Sequence, residues 1–352
     1  MILIDSHLDL AMNALNWDRN LALDVYAIRR QEAGMTEKGR GRGTVAFPEM
    51  RKGAVAISVA TVISRTARPG SPATGAACQE ISYAKAQGQL AYYRVLEAQG
   101  TLRMLTDREG LEAHFAAWQA GGDSEPLGFI LGMEGADPIV WPEQAASWWE
   151  DGLRVVSLSH YGVSAYAYGT DTEGGLTEAG RRLLKEMASV GMTLDLTHLA
   201  EQAFWEAVDA FAGPVMASHN NCRALVPGDR QFSDAQLEAI IERDGVVGVA
   251  LDAWMLYPGW IKGETSNTVV GLKAVADHID HICQLAGNVR HAGIGSDLDG
   301  GYGTEQCPHD LDTISDLQRV GDLLQARGYA REDIEGIMHG NWMRFFGGAL
   351  GG

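Results

Sequence analysis

The chain has 352 residues, 46% hydrophobic and 21% charged, with no low-complexity tract. This excludes a disordered or fibrous protein and suits one (β/α)8 barrel or two smaller domains. Its 46 acidic against 28 basic residues give a formal charge of −18, which repels phosphate backbones and anionic membrane surfaces and argues against nucleic acid or membrane as a partner.

Short apolar runs recur along the chain, most of them followed by a segment of helical periodicity, the signature of βα units and a parallel sheet. The expected strands are MILID (1–5), AVAISVATVI (54–63), LGFILGM (127–133), LRVVSLS (153–159), MTLDLT (192–197), PVMAS (214–218), GVVGVAL (245–251) and HAGIGS (291–296). Helices are expected over 76–98, 142–151, 176–190, 200–212, 233–243, 268–286 and 311–327, where apolar residues recur three or four apart. TLRML (101–105) is an extra strand or a side hairpin. Eight strands with intervening helices and no Gly/Pro-rich linker favour a single (β/α)8 barrel over residues 1–352, with inserted loops at about 17–50 and 64–75. Arg40 and Arg42, among glycines in the first of these loops, read as solvated.

The four cysteines, Cys78, Cys222, Cys283 and Cys307, are scattered without a CxxC pair, so free thiols are expected. The N-terminus carries no signal-peptide pattern and no stretch has the apolar length to span a bilayer, which reads as a cytoplasmic protein.

The residues with chemistry to offer stand just after the strands. His7 and Asp9 come after the first, Glu134 after the third, His160 after the fourth, His198 after the fifth, His219 after the sixth and Asp297 after the eighth. In a parallel barrel these ends open onto one face, where the active site lies. Imidazoles and carboxylates gathered there suit Zn²⁺ and its neighbours, and with His7 the set is large enough for two ions if one carboxylate bridges them. Such a pair lowers the pKa of bound water and polarises a scissile carbonyl, while Asp297 would take the water's proton and return one to the leaving group.

Each residue alone has a plainer reading. His198 in DLTHLAE or Asp297 in GSDLDG serves equally as a helix cap or turn residue, and Glu134 as a polar strand end. Asp5, His7 and Asp9 taken by themselves are a solvated strand end. Their joint appearance after six of eight strands is what favours a site. His278 and His281 lie three apart on an expected helix and have no strand-end partner, so they read as a packed or solvated helix face, as do His114, His291, His309 and His339 as structural residues. Trp254, Tyr257 and Trp260, in the loop after the seventh strand, are candidates for pocket wall.

The ordered set DSHLD (5–9), LGMEGAD (131–137), SLSHYG (157–162), DLTH (195–198), ASHNNCRAL (217–225) with Arg230 beyond, GIGSDLDG (293–300) and the tail RGYAREDIEGIMHGNWMRFF (327–346) resembles the membrane (renal-type) dipeptidases, peptidase family M19 of the amidohydrolase superfamily. The resemblance implies two Zn²⁺, with His7, Asp9 and Glu134 on one and Glu134, His198 and His219 on the other. It implies that His160 hydrogen-bonds the oxyanion, that Arg230 holds the substrate's C-terminal carboxylate and that Asp297 shuttles the proton. A homodimer is implied too. Leu8 stands where the family commonly has Asn, residues 10–50 are unlike the best-known members, and Arg223 competes with Arg230 for the carboxylate role. The expected activity is hydrolysis of dipeptides, with L-Xaa-D-Xaa substrates among them, by a metal-bridging hydroxide. Hydrolysis of another small amide, an N-acyl amino acid or a lactam, and a catalytically idle metal-binding relative stay open.

Overall fold

A computed structural model of the chain describes residues 1–68, 71 and 73–351, so Pro69, Gly70 and Pro72 of the expected loop 64–75 lie outside the described residues. The strands are β1 (Leu3–Leu8), β2 (Val55–Ile63), β3 (Leu102–Met104), β4 (Leu127–Glu134), β5 (Leu153–Ser157), β6 (Thr193–Asp195), β7 (Val215–Met216), β8 (Val247–Val249) and β9 (Ala292–Ile294). They pair in parallel in the order β7-β6-β5-β4-β2-β1-β9-β8, and an isolated parallel bridge between Ala217 and Val247 joins the two ends. The result is the expected (β/α)8 barrel. TLRML is an extra strand rather than a hairpin, because β3 pairs in parallel with the first residues of β4, outside the barrel path.

The strands read as continuous apolar runs because both faces are covered: β1 and β4 are buried along their whole length. β1 extends past the expected MILID to Leu8, so His7 lies within it and not beyond it. β6 to β9 are shorter than expected, two or three residues each. The helices match the periodic segments, and two of them start at a side-chain cap. Thr177 accepts from Gly180 N at the start of Glu178–Val190, and Ser233 forms a capping box with Gln236 before Asp234–Glu242. Gly191 and Gly287 close Glu178–Val190 and Lys273–Ala286 in the left-handed conformation, which costs a residue without Cβ nothing.

The stretch 17–50, expected as an inserted loop, carries the helices Val25–Gln31 and Phe47–Lys52. It is fastened to the barrel by a buried ion cluster. Arg19, 3% exposed, donates through Nε to Glu32 Oε1 at 2.8 Å and through Nη1 to Asp299 Oδ2 at 3.2 Å, and Asp299 accepts from Thr44 N at 2.8 Å and Val45 N at 3.1 Å. Arg40 is not solvated as its glycine-rich context suggested: it pairs with Glu32 at 2.9 Å and lies over the Trp17 ring. At the far end of the barrel the C-terminal helix Asn341–Ala349 lays Trp342 against the strands, its Nε1 donating to Ile294 O at 3.1 Å. Gly293 has no room for a Cβ there, which would meet Trp342 Nε1 at 2.3 Å.

Candidate active site

The strand ends converge as the barrel requires. Four imidazole nitrogens surround one carboxylate oxygen: Glu134 Oε1 lies 3.6 Å from His7 Nε2, 3.5 Å from His160 Nε2 and 3.3 Å from both His198 Nε2 and His219 Nε2. Asp9 and Asp297 each approach His7 Nε2 to 3.9 Å. Three sets of donor atoms lie close enough to share an ion: His7, Glu134 and His219; Glu134, His160 and His198; His7, Asp9 and Asp297. Asp5, by contrast, is wholly buried and belongs to none of these sets. It accepts from Ser296 Oγ at 2.5 Å, Ser296 N at 2.8 Å and His7 N at 3.2 Å, a staple between β1 and the loop after β9 and not a solvated strand end.

The outer nitrogens of three imidazoles decide what the inner ones do. Ser218 Oγ donates its proton to Asp195 Oδ2 at 2.5 Å, so the same oxygen accepts from His219 Nδ1 at 2.8 Å and from His7 Nδ1 at 3.3 Å. Thr170 Oγ1 donates to the carbonyl of His198 at 3.3 Å and accepts from His198 Nδ1 at 2.9 Å. All three rings therefore carry Nδ1–H, an assignment from the heavy-atom network, and their Nε2 lone pairs point into the cluster. Two of these lone pairs, on His198 and His219, face each other at 3.2 Å, where neither can donate. His7 Nε2 is buried with no hydrogen-bond partner among the described residues.

A cation resolves both conflicts. Ligands on a tetrahedral ion with bonds of about 2.0–2.1 Å stand roughly 3.3 Å apart, which is the spacing of Glu134 Oε1, His198 Nε2 and His219 Nε2. Electrostatics point the same way. Burial, then the neighbouring Asp9 and Asp297, push the Glu134 carboxyl well above its usual range, and burial lowers His7 to about 3, with Arg230 adding to the effect. Neutral imidazoles and crowded carboxylates form a site in need of positive charge.

The cluster floors a cavity of about 160 Å³, whose wall includes Arg230, His160, Asp297, Tyr161 and Trp254. Arg230, 3% exposed, is oriented by Asn220 Oδ1 and by the His219 carbonyl at 3.0 Å. Arg223 does not line the cavity; it pairs with Glu201 at 2.9 Å and donates to the carbonyls of Gly228 and Gln231. Of the three aromatic candidates Trp254 lines the cavity, and Tyr257 and Trp260 do not. His278 accepts from Cys222 N at 3.0 Å and His281 meets Asp234 at 2.7 Å, so this helical pair shares no ion. His198 (φ 70°) and Asp297 (φ 56°) hold left-handed backbone, a conformation that non-glycine residues keep where surrounding structure compels it.

Two strand ends supply residues that the sequence reading left out. Asp252, directly after the seventh apolar run, is buried in the cavity wall with both oxygens 2.8 Å from Gln306 Nε2, and burial raises its carboxyl to about 6. Arg65, two residues beyond β2, reaches His160. Asp252 was visible as a polar strand end like the others, whereas Arg65 has no local signal.

Comparison with known proteins places the whole chain in one family. The family profile of the membrane dipeptidases (peptidase family M19) matches residues 1–349. Dipeptidase aclJ of Aspergillus oryzae is 28% identical over 354 residues, spanning 98% of this chain and 77% of its own length. The chain spans less than two thirds of several other curated relatives, such as 61% of an uncharacterized Klebsiella pneumoniae protein that is 34% identical over 49% of this chain. Among solved structures, dipeptidase AC superposes with a TM-score of 0.81 at 24% identity, covering 100% of this chain and 99% of its own. A metallopeptidase from Rhodobacter sphaeroides, bound to a phosphinate mimic of the dipeptide L-Ala-D-Ala, reaches 0.80 at 24% identity over 98% of each chain. These structural likenesses carry the barrel, and the match along the whole chain carries the kinship: this protein belongs to the membrane dipeptidase family, the metallopeptidases of family M19.

Proposed function

We propose that the cavity hydrolyses the peptide bond of dipeptides, including those with a D-residue at the C-terminal position, with two zinc ions. His7, Asp9 and Glu134 would hold one ion and Glu134, His198 and His219 the other. The observation that carries this reading is the convergence of three Nε2 lone pairs on one Glu134 oxygen, with Arg230 in the wall of the same cavity. When bound, such a pair of ions polarises the carbonyl and supplies an activated water.

The remaining roles belong to the chain. Arg230 offers a planar fork suited to the substrate carboxylate, and its anchoring by Asn220 and the His219 carbonyl fixes that fork before substrate arrives. His160 donates toward the charge that develops on the carbonyl oxygen. Asp297, whose carboxyl burial and the nearby Asp9 push well above its usual range, is a base able to accept the water's proton and pass it to the departing amine. Its presence speaks against an idle metal-binding relative, since neither three-residue ligand set requires it. The phosphinate dipeptide mimic held by the Rhodobacter sphaeroides structure supports the choice of a dipeptide with a D-residue. A cytoplasmic homodimer completes the reading. It rests on the sequence and the family; among the described residues no helix is long and apolar enough to cross a membrane.

Elemental analysis of the purified protein, coupled to ninhydrin detection of amino-acid release from L-L and L-D dipeptides, tests the proposal. About two equivalents of zinc with chelator-sensitive release is the expected result. Two metals with turnover only of N-acylated amino acids or lactams would move the activity to that class of amide, and absence of metal after zinc reconstitution would refute the centre.

A further inference from the structure

His160 differs from the three imidazoles beside it in what meets its outer nitrogen. Where His7, His198 and His219 face hydroxyl oxygens, His160 Nδ1 lies 2.9 Å from Arg65 Nη1. A guanidinium has five donors, no acceptor, and does not release its proton in a protein. Nδ1 of His160 is therefore the acceptor, and a neutral ring must then carry its proton on Nε2. That nitrogen faces Glu134 Oε1 at 3.5 Å, where the other rings present lone pairs. Arg65 itself is held from both sides: its carbonyl accepts from Ala76 N at 2.7 Å, and the next residue's N–H donates to Asp137 Oδ2 at 2.7 Å.

We infer that Arg65 is a positioning residue: it fixes His160 as the Nε2–H tautomer, which withholds this fourth imidazole from the metals and turns it into a hydrogen-bond donor facing the cavity. The same geometry explains how four neighbouring histidines divide into three ligands and one donor, although the distances alone would place His160 with Glu134 and His198 around an ion.

The kinetic arm of the test rests on the dipeptidase reading; the spectroscopic arm does not. ¹⁵N NMR of histidine-labelled holoenzyme, with His160 assigned by H160Q, should show an unprotonated Nδ1 and a protonated Nε2. In R65M that pattern should invert or average, with zinc content unchanged. The kcat on a dipeptide should fall about 10- to 100-fold, the usual effect of removing a group that orients a functional residue, with KM little changed. R65Q, which keeps an N–H donor, should recover part of the loss, and R65M should cost nothing further in an H160Q background. A protonated Nδ1 on His160 in the wild type, or an equal R65M penalty with and without His160, would overturn the inference. A wild type that hydrolyses no dipeptide would count against the proposed function and leave the tautomer measurement standing.

Discussion

Ser218 and Asp195 share a hydrogen bond of 2.5 Å, and through it the hydroxyl of one serine sets the tautomers of two imidazoles, His219 and His7. The carboxylate takes the only proton Ser218 has, so the oxygen is left to accept from both rings. Replacing Ser218 by Ala removes that acceptor and frees both Nδ1–H groups to seek others. Groups that orient metal-bound histidines are worth about 10- to 100-fold in metal affinity. Ser218→Ala should show a loss of this size in competition with a chelator; an affinity equal to wild type would mean that the rings are oriented by packing alone.

Gly300 leaves space for the Asp297 carboxylate. A Cβ at this position would stand 1.9 Å from Asp297 Oδ1, so Gly300→Ala must displace the side chain proposed as the proton shuttle. The barrel below is untouched. The expected outcome is a kcat at least about 10-fold lower with zinc content retained, the effect of losing a positioned acid–base group. Unchanged kcat would remove Asp297 from that role.

Asp252 gives the stability a pH dependence with a defined sign. Burial raises its carboxyl from 3.8 to about 6, so the folded state holds its proton more tightly than the unfolded chain does. Its destabilising contribution is nearly absent below the unfolded value, grows as pH rises from about 4 to about 6, and is complete above that. Asp252→Asn removes it. Relative to wild type, the variant should gain about 2 kcal/mol more stability at pH 7 than at pH 4, from the span of the shift. Denaturant unfolding at the two pH values measures the difference, and a pH-independent difference would contradict it.

Arg19 sits between two buried carboxylates, Glu32 and Asp299. Arg19→Met retains the bulk and leaves both acids without this partner, a change that costs about 3–5 kcal/mol in buried ion pairs. Thermal or denaturant unfolding should register the loss. An additional Glu32→Gln should restore part of it, because one of the stranded charges is then gone; no recovery would place the loss in packing.

The barrel was legible because its strands are buried on both faces and repeat the same grammar, an apolar run closed by a polar residue. That grammar placed His7, Asp9, Glu134, His160, His198, His219 and Asp297 on one face, and it reaches Asp252 as directly as it reaches His160. The contacts beyond its reach are long-range. Nothing local to Ser218 says that its proton goes to Asp195, 23 residues away, nor that Arg65 meets a ring 95 residues further on. Arg40 looked solvated because glycines surround it, yet Glu32 and Trp17 hold it. The helices within residues 10–50 escaped because they are only six or seven residues long, too short for a periodic face to stand out.

The seam between β7 and β8 is a single bridge, supported by Gly248 N to Ala217 O at 2.8 Å, Ala217 N to Val246 O at 3.0 Å and, just beyond it, Asn220 N to Gly248 O at 2.7 Å. Two residues along the chain from Ala217 stands His219, while the ladder of β2 and β4 on the opposite wall runs unbroken from Ile57 to Ile63. Ions held in common by residues of β1, β4 and the ends of β6 and β7 would act as a hoop around the rim that this short seam interrupts. Emptying the centre then loosens the wall as well as the chemistry, and the amides of Ala217 and Gly248 should surrender their protection from exchange long before those of β4.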